Sequence, residues 1–209
     1  MDLSAIRTET RNLLDDVGAD RWSDSDLNLY INQAQYDFNV LTQIYRGPVQ
    51  TTVTNGTSEY TFAIIGPILR VEYYTSAMTS MIALNLTTEE KLDNLVPGWR
   101  DSSVTGQPTR FLHSKNDYRT ILVYPKPGAS QSGHYLKVYG AKVPTTLTNS
   151  FDVPLIPEEY HHALSFGAAS RALQRNNDAM SISLAEKYET KFNSYVQIAQ
   201  TLAKASFGQ

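Results

Sequence analysis

At 209 residues the chain is long enough for one large domain or two small ones, and its 41% apolar content can bury a core without a metal or disulfide staple. The lack of cysteine excludes a disulfide framework, a thiolate zinc site and a cysteine nucleophile. A formal charge of −3, with 18 basic residues scattered among 21 acidic ones, argues against a dedicated duplex-DNA binder, which needs clustered cations.

The opening Met1-Asp2-Leu3 carries no secretory signal and no apolar run reaches the roughly 20 residues of a membrane span, so the expectation is a soluble protein. The spacing of Leu3, Ile6, Leu13, Leu14 and Val17 predicts a first helix over residues 3–17, with Gly18 as its left-handed stop. Ser23, followed three residues later by Asp26 and flanked by Trp22 and Leu27, predicts the capped start of a second helix. Leu27, Ile31, Ala34, Phe38, Leu41 and Tyr45 then recur every three or four residues on one face, and Gly47-Pro48 should end it.

From Val49 the pattern changes to strands. Val49–Val53 alternates, Asn55-Gly56 is a turn signal and Tyr60–Phe62 resumes, which predicts a hairpin. Residues 68–75 and 78–84 read as the next strands, and Thr87-Thr88-Glu89-Glu90 opens a short helix through Leu95 that Pro97-Gly98 closes. Residues 109–113, 118–124 and 134–143 complete six or seven short strands. Two polar, turn-rich stretches, 99–107 and 144–153, are long enough to be mobile or partner-bound. The 13 tyrosines outnumber the 7 phenylalanines and 2 tryptophans together, as half-buried strands and interfaces require.

A third long helix is expected to begin at Pro157, with Glu158 and Glu159 at its positive end. Its middle is small: Ala163, Gly167, Ala168, Ala169 and Ala172 permit close approach of another helix, from the same chain or from a second subunit. After a turn at Asn176-Asn177-Asp178, Ala185, Tyr188, Phe192, Tyr195, Ala199 and Leu202 define a fourth helix, with residues 204–209 fraying or docking elsewhere. The fold class is therefore α+β. Residues 1–47 and 154–209 should form a discontinuous helical bundle, and 48–153 an inserted antiparallel β sandwich or barrel.

No catalytic template fits. His161 and His162 are adjacent, so on a helix their side chains diverge, whereas metal ligands on one helix need i, i+3 or i, i+4 spacing. There is no Gly-x-Ser-x-Gly, Ser-x-x-Lys or phosphate-binding glycine loop, and the paired acids have structural accounts at helix ends. The expectation is a protein without catalytic residues, metal or cofactor.

Three segments, taken in order, resemble a known family. They are Val123-Tyr124-Pro125-Lys126-Pro127, then Pro144-Thr145-Thr146-Leu147, then Val153-Pro154-Leu155-Ile156-Pro157-Glu158-Glu159-Tyr160-His161-His162-Ala163-Leu164 with Gly167-Ala168-Ala169. Together with Ser23-Asp24-Ser25-Asp26-Leu27 and Ile31-Asn32-Gln33-Ala34, they resemble the head-to-tail adaptors of tailed bacteriophages. The resemblance implies a virion protein assembled in the host cytoplasm. Such adaptors form a ring, commonly of twelve copies, bound beneath the portal protein. Tail nozzle, tube or fibre proteins attach on the far side, and DNA slides through the channel without sequence-specific binding. On that basis Tyr195, Leu202, Lys204 and Phe207 are candidate portal contacts. Ala163, Gly167, Ala168 and Ala172 are candidate subunit-packing residues, and Trp99, Arg100, Thr146 and Phe151 lie on candidate assembly loops. The alternative is an accessory tail protein whose Tyr-rich β module binds a receptor or carbohydrate; a hydrolase with an unrecognised site is a third reading.

Overall fold

The computed structural model describes residues 1–101, 103–176 and 178–207, and its chain divides into two units: residues 1–45 with 143 onward, and residues 46–142. Five α-helices and two sheets give an α+β protein.

In the helical unit, α1 (Leu3–Leu14) is capped by the Asp2 carboxylate, which accepts from the Ala5 N–H at 2.8 Å. The expected extension to Val17 does not form. Asp15, rather than Gly18, takes the left-handed conformation, Asp16 turns inward to meet Arg11, and Val17 is left 74% exposed. The second helix, α2 (Asp24–Thr42), starts as its sequence implies: Ser23 Oγ accepts from the Asp26 N–H at 3.1 Å, and Trp22 and Leu27 are both buried. It ends at Gln43, in a left-handed conformation, so Gly47-Pro48 lies in the first strand instead of terminating the helix.

Pro157 stays extended and precedes a 3-10 turn at Glu158–Tyr160, which delays α4 to His161–Gln174. The last helix, α5, covers Ala179–Phe207. Asn177, part of the expected turn before it, and the terminal pair Gly208 and Gln209 lie outside the described residues. The core joins Leu3 and Ile6 to Leu27, Ile31, Ala34 and Phe38, to Ala163, Leu164 and Ala168, and to Ala185, Phe192, Val196 and Ala199. Each fully buried large aliphatic or aromatic side chain contributes on the order of 1.5–3 kcal/mol. On α5, Val196 and Ala203 fill core positions, whereas Leu202, expected on that stripe, is 51% exposed.

Residues 143–153 belong to this helical unit and not to the β unit as expected. The cause is polar. Asn32 grips the Leu147 backbone in both directions, accepting its N–H at 2.8 Å and donating to its carbonyl at 3.0 Å, and Gln35 donates to the Thr145 carbonyl at 3.0 Å. The first N–H groups of α1, which have no partner within the helix, donate to the carbonyls of Asp152 at 2.8 Å and Ser150 at 3.0 Å.

In the β unit, β1 (Arg46–Thr52), β8 (Tyr135–Lys142), β3 (Ile64–Tyr74) and β4 (Met81–Ala83) form an antiparallel sheet in that order. A second sheet is ordered β2 (Glu59–Thr61), β7 (Thr120–Tyr124), β6 (Arg110–His113) and β5 (Asn85–Leu86). Its β5–β6 pair is parallel, so the expectation of an all-antiparallel module is corrected to one antiparallel and one mixed sheet. One core is shared by both sheets, with Ile64, Val71, Tyr73, Leu136 and Val138 from the first and Tyr60, Phe111, Ile121 and Val123 from the second.

The expected hairpin across Asn55-Gly56 is also absent. Its two strands go to different sheets, and the turn, with Gly56 at φ +75°, is a corner. Tyr60 fastens that corner: its hydroxyl donates to the Thr57 carbonyl at 3.0 Å and accepts from the Thr54 N–H at 3.2 Å. The short helix α3 (Glu89–Leu95), capped by Thr88, buries Leu92 in a third cluster with Leu112 and Tyr124. No helix among the described residues is long and apolar enough to cross a membrane.

Candidate interaction surfaces

The polar residues that most resemble chemistry are structural. His161, 2% exposed, donates through Nε2 to the Ile156 carbonyl, 3.0 Å away. Its neighbour His162 points elsewhere and pairs with Glu9 at 2.8 Å, and the other oxygen of Glu9 accepts from Ser165 Oγ at 2.8 Å. Serine, histidine and glutamate thus meet, but the carboxylate sits between the other two. The imidazole bonds the carboxylate and not the serine, so this arrangement lacks the serine–base contact of a nucleophilic triad and ties α1 to α4 instead. Among the described residues no group of three His, Cys, Asp or Glu side chains is placed to hold a metal.

A second knot joins α1 to the start of α2. Arg11 donates to Asp16 Oδ2 at 2.8 Å, to the Trp22 carbonyl at 2.9 Å and to Asp24 Oδ1 at 2.7 Å. Burial pushes the Asp16 carboxyl up, but the N–H groups of Arg21, Trp22 and Asp20 and the Arg11 guanidinium outweigh it and hold it below the ordinary carboxylate range. At the end of α1 the periodic partner of Arg11 would be Asp15, four residues on; Asp16, at five, is off that face, so helical spacing carries no signal for this partnership.

The small residues of α4 are taken up within the chain. Ala163, Ala168 and Ala172 are fully buried, and a Cβ on Gly167 would come within 2.9 Å of Ala34 Cβ and of the Phe192 ring. They carry the packing of α4 on α2 and α5, the same-chain partners that their size allows.

Above Gly167 lies a cavity of about 290 Å³ lined by Asp37, Val40, Leu41, Arg171, Glu189 and Phe192, among others. Arg171 spans it, donating to the Gly167 carbonyl at 2.7 Å and to the Asp37 carboxylate. Val40 and Leu41 stay exposed beside it. The groove has no signal in the sequence: Asp37 and Val40 lie off the core stripe, Leu41, expected on that stripe, turns out to its rim, and only folding brings α2, α4 and α5 together around them.

Of the candidate portal contacts, Tyr195 is half-buried and stacks on Phe166 with ring centres 6.3 Å apart. Leu202 and Lys204 are exposed, and Phe207 is the last residue of α5. The assembly-loop candidates divide. Trp99 donates to Asp93 at 2.9 Å and packs edge-on to Tyr124, while Arg100 covers the Trp99 ring and pairs with Asp93 and Glu89. Thr146 and Phe151 point to solvent, and Phe151 is 85% exposed on a backbone held by the Asp152 carboxylate, which accepts from the N–H groups of Thr148 at 2.7 Å and Asn149 at 2.8 Å.

The tyrosines of the β unit are largely engaged. Tyr60, Tyr73 and Tyr124 are buried, and Tyr74 and Tyr139 each donate to Glu72 Oε2 at 2.8 Å. That hydrogen bond to an anion pushes the Tyr74 phenol up to about 12. Arg70 neutralises the other oxygen of Glu72.

No curated protein matches the chain. The family model described as SU10 adaptor protein matches residues 1–208, and with that match over almost its whole length the chain belongs to the SU10 adaptor protein family of bacteriophage adaptors.

Proposed function

We propose that the protein is a structural part of the head-to-tail junction. Copies form a ring, commonly of twelve in such adaptors, below the portal protein; the ring extends the DNA channel and gives tail nozzle, tube or fibre proteins their attachment surface. The observation that carries this reading is the family match over residues 1–208. The mild negative charge of the subunit fits a conduit, since a channel lined without clustered cations does not hold DNA phosphates as they pass.

The portal contact is assigned to the end of α5, at Leu202, Lys204 and Phe207, where the helix runs on past the buried Ala203. Tyr195 serves packing on Phe166. Phe151, exposed on a tethered loop, is the assembly-loop residue favoured to anchor a partner.

Co-expression with the portal protein of the same phage, followed by negative-stain imaging, tests the reading. Rings seated on portals are expected, and small oligomers indifferent to the portal would overturn it. Deleting residues 204–209 is expected to abolish portal binding; unchanged binding would move the contact elsewhere.

A further inference from the structure

Helix α5 carries two outward flanks of opposite character. At about 100° per residue, Lys187, Lys191, Tyr195 and Ile198 fall on one side of its buried stripe, and Glu186, Glu189 and Asn193 on the other. Contacts fix both assignments. On the first flank Lys191 Nζ lies 4.7 Å from the centre of the Phe166 ring, on which Tyr195 also stacks. On the second, Glu189 accepts from Gln174 at 3.3 Å and, with Asn193, lines the cavity beside Val40 and Leu41.

From Glu186 to Lys191, short of Lys204 on the Glu186 side near the helix end, the charges are sorted by flank and not paired along the helix. An isolated helix gains from Glu and Lys four residues apart, but here Lys191 follows Lys187, and Asn193 follows Glu189. Asp37 in the groove is already neutralised by Arg171, whereas Glu186, Glu189, Lys187 and Lys191 have no opposite charge within salt-bridge distance among the described residues. One flank is thus cationic with an exposed apolar residue, Ile198 at 54%, and the other is anionic with a depression rimmed by Val40 and Leu41.

We infer that copies of this chain pack side by side through α5, the Lys187/Lys191/Ile198 flank of one copy seated against the Glu189/Val40/Leu41 groove of the next. This rests on the ring reading above and names the subunit seam within it. Two different surfaces meet, so the contact is heterologous and propagates around a ring instead of closing a dimer. DNA is the weaker occupant of the cationic flank, because two lysines interleaved with Tyr195 and Ile198 neutralise few phosphates.

The native chain has no cysteine, so an Asn193→Cys/Ile198→Cys variant leaves all four charges in place and reports only on new contacts. The two positions are separated by about 7.5 Å of helical rise on opposite flanks, too far for a disulfide within one chain. Assembled on the portal protein of the same phage and oxidised, this variant is expected to give a ladder of disulfide-linked multimers. In parallel, Glu189→Lys or Lys191→Glu alone is expected to lower ring yield about tenfold, and the two together to restore it. If wild-type rings form while the cysteine variant stays monomeric and the charge reversals have no effect, the seam is wrong and the ring reading stands. Loss of DNA retention with ring yield intact would assign the lysines to the channel and likewise overturn the seam. Failure of the wild-type protein to form rings on the portal would remove the ring reading and the seam with it.

Discussion

Arg11 and Asp16 show how a single pair can decide a local fold. With Arg11 8% and Asp16 4% exposed, neither charge has enough water to replace its partner. Replacing Asp16 by Asn removes the buried carboxylate of the knot and leaves Arg11 with the half-exposed Asp24 alone, and the expected loss is about 1.5–3 kcal/mol. Urea unfolding measures it, and a loss below about 1 kcal/mol, the worth of an exposed pair, would show the knot to be dispensable. The pH dependence has a definite sign. The Asp16 carboxyl is held below its ordinary value of 3.8 in the folded chain, so its contribution is complete above that value and is lost as the pH falls through the lower folded one. The acid limb of the wild-type stability curve should therefore be steeper than that of Asp16→Asn.

At the scale of elements, the segment from Pro144 to Val153 reads as a loose linker in the sequence and is a strap in the fold. Its polar, turn-rich composition was legible; its partners were not, because Asn32 and Gln35 lie more than a hundred residues earlier and their side chains supply what a neighbouring strand would. Asn32→Ala removes both bonds to Leu147 and should cost about 1–3 kcal/mol through the unsatisfied backbone groups. Hydrogen exchange at the Leu147 amide should accelerate in that variant; an unchanged rate would mean that the strap is held by the burial of the Leu147 side chain, 4% exposed, and not by Asn32. The missing hairpin at Asn55-Gly56 has a similar origin. The turn chemistry was correctly read, but a turn fixes only the local reversal, and the pairing of β1 with β8 and of β2 with β7 is decided by distant strands.

At the scale of the whole molecule, the β unit is continuous in sequence and its two ends are neighbours, because Arg46 pairs directly with Ala141. It has its own core shared by two sheets. A fragment of residues 46–142 is therefore expected to fold alone, with cooperative thermal unfolding and dispersed amide resonances. A fragment that stays unfolded would show that the β unit depends on the helical one. Family membership rests on the same scale: it comes from a match over residues 1–208 and not from any single site.

The sequence by itself determined the α+β class, the helical ends around a strand-rich middle, the Ser23 cap and the core face of α2 as far as Phe38. These depend on periodicity and on short-range hydrogen bonds within a few residues. The order of its motifs also pointed to the adaptor family. Leu41, expected on the core face of α2, is 48% exposed, Tyr45 lies beyond the helix, and the cap of α3 is Thr88, one residue after the Thr87 of the capping-box pattern. Only the tertiary structure decided that the small face of α4 is filled by Ala34 and Phe192, that residues 143–153 belong with the helices, and that a groove from α2 and α4 opens beside Glu189 of α5. Each of these depends on which distant side chain arrives at a given surface. That is settled by burial and by the satisfaction of polar groups across the assembled core, and no local pattern encodes it.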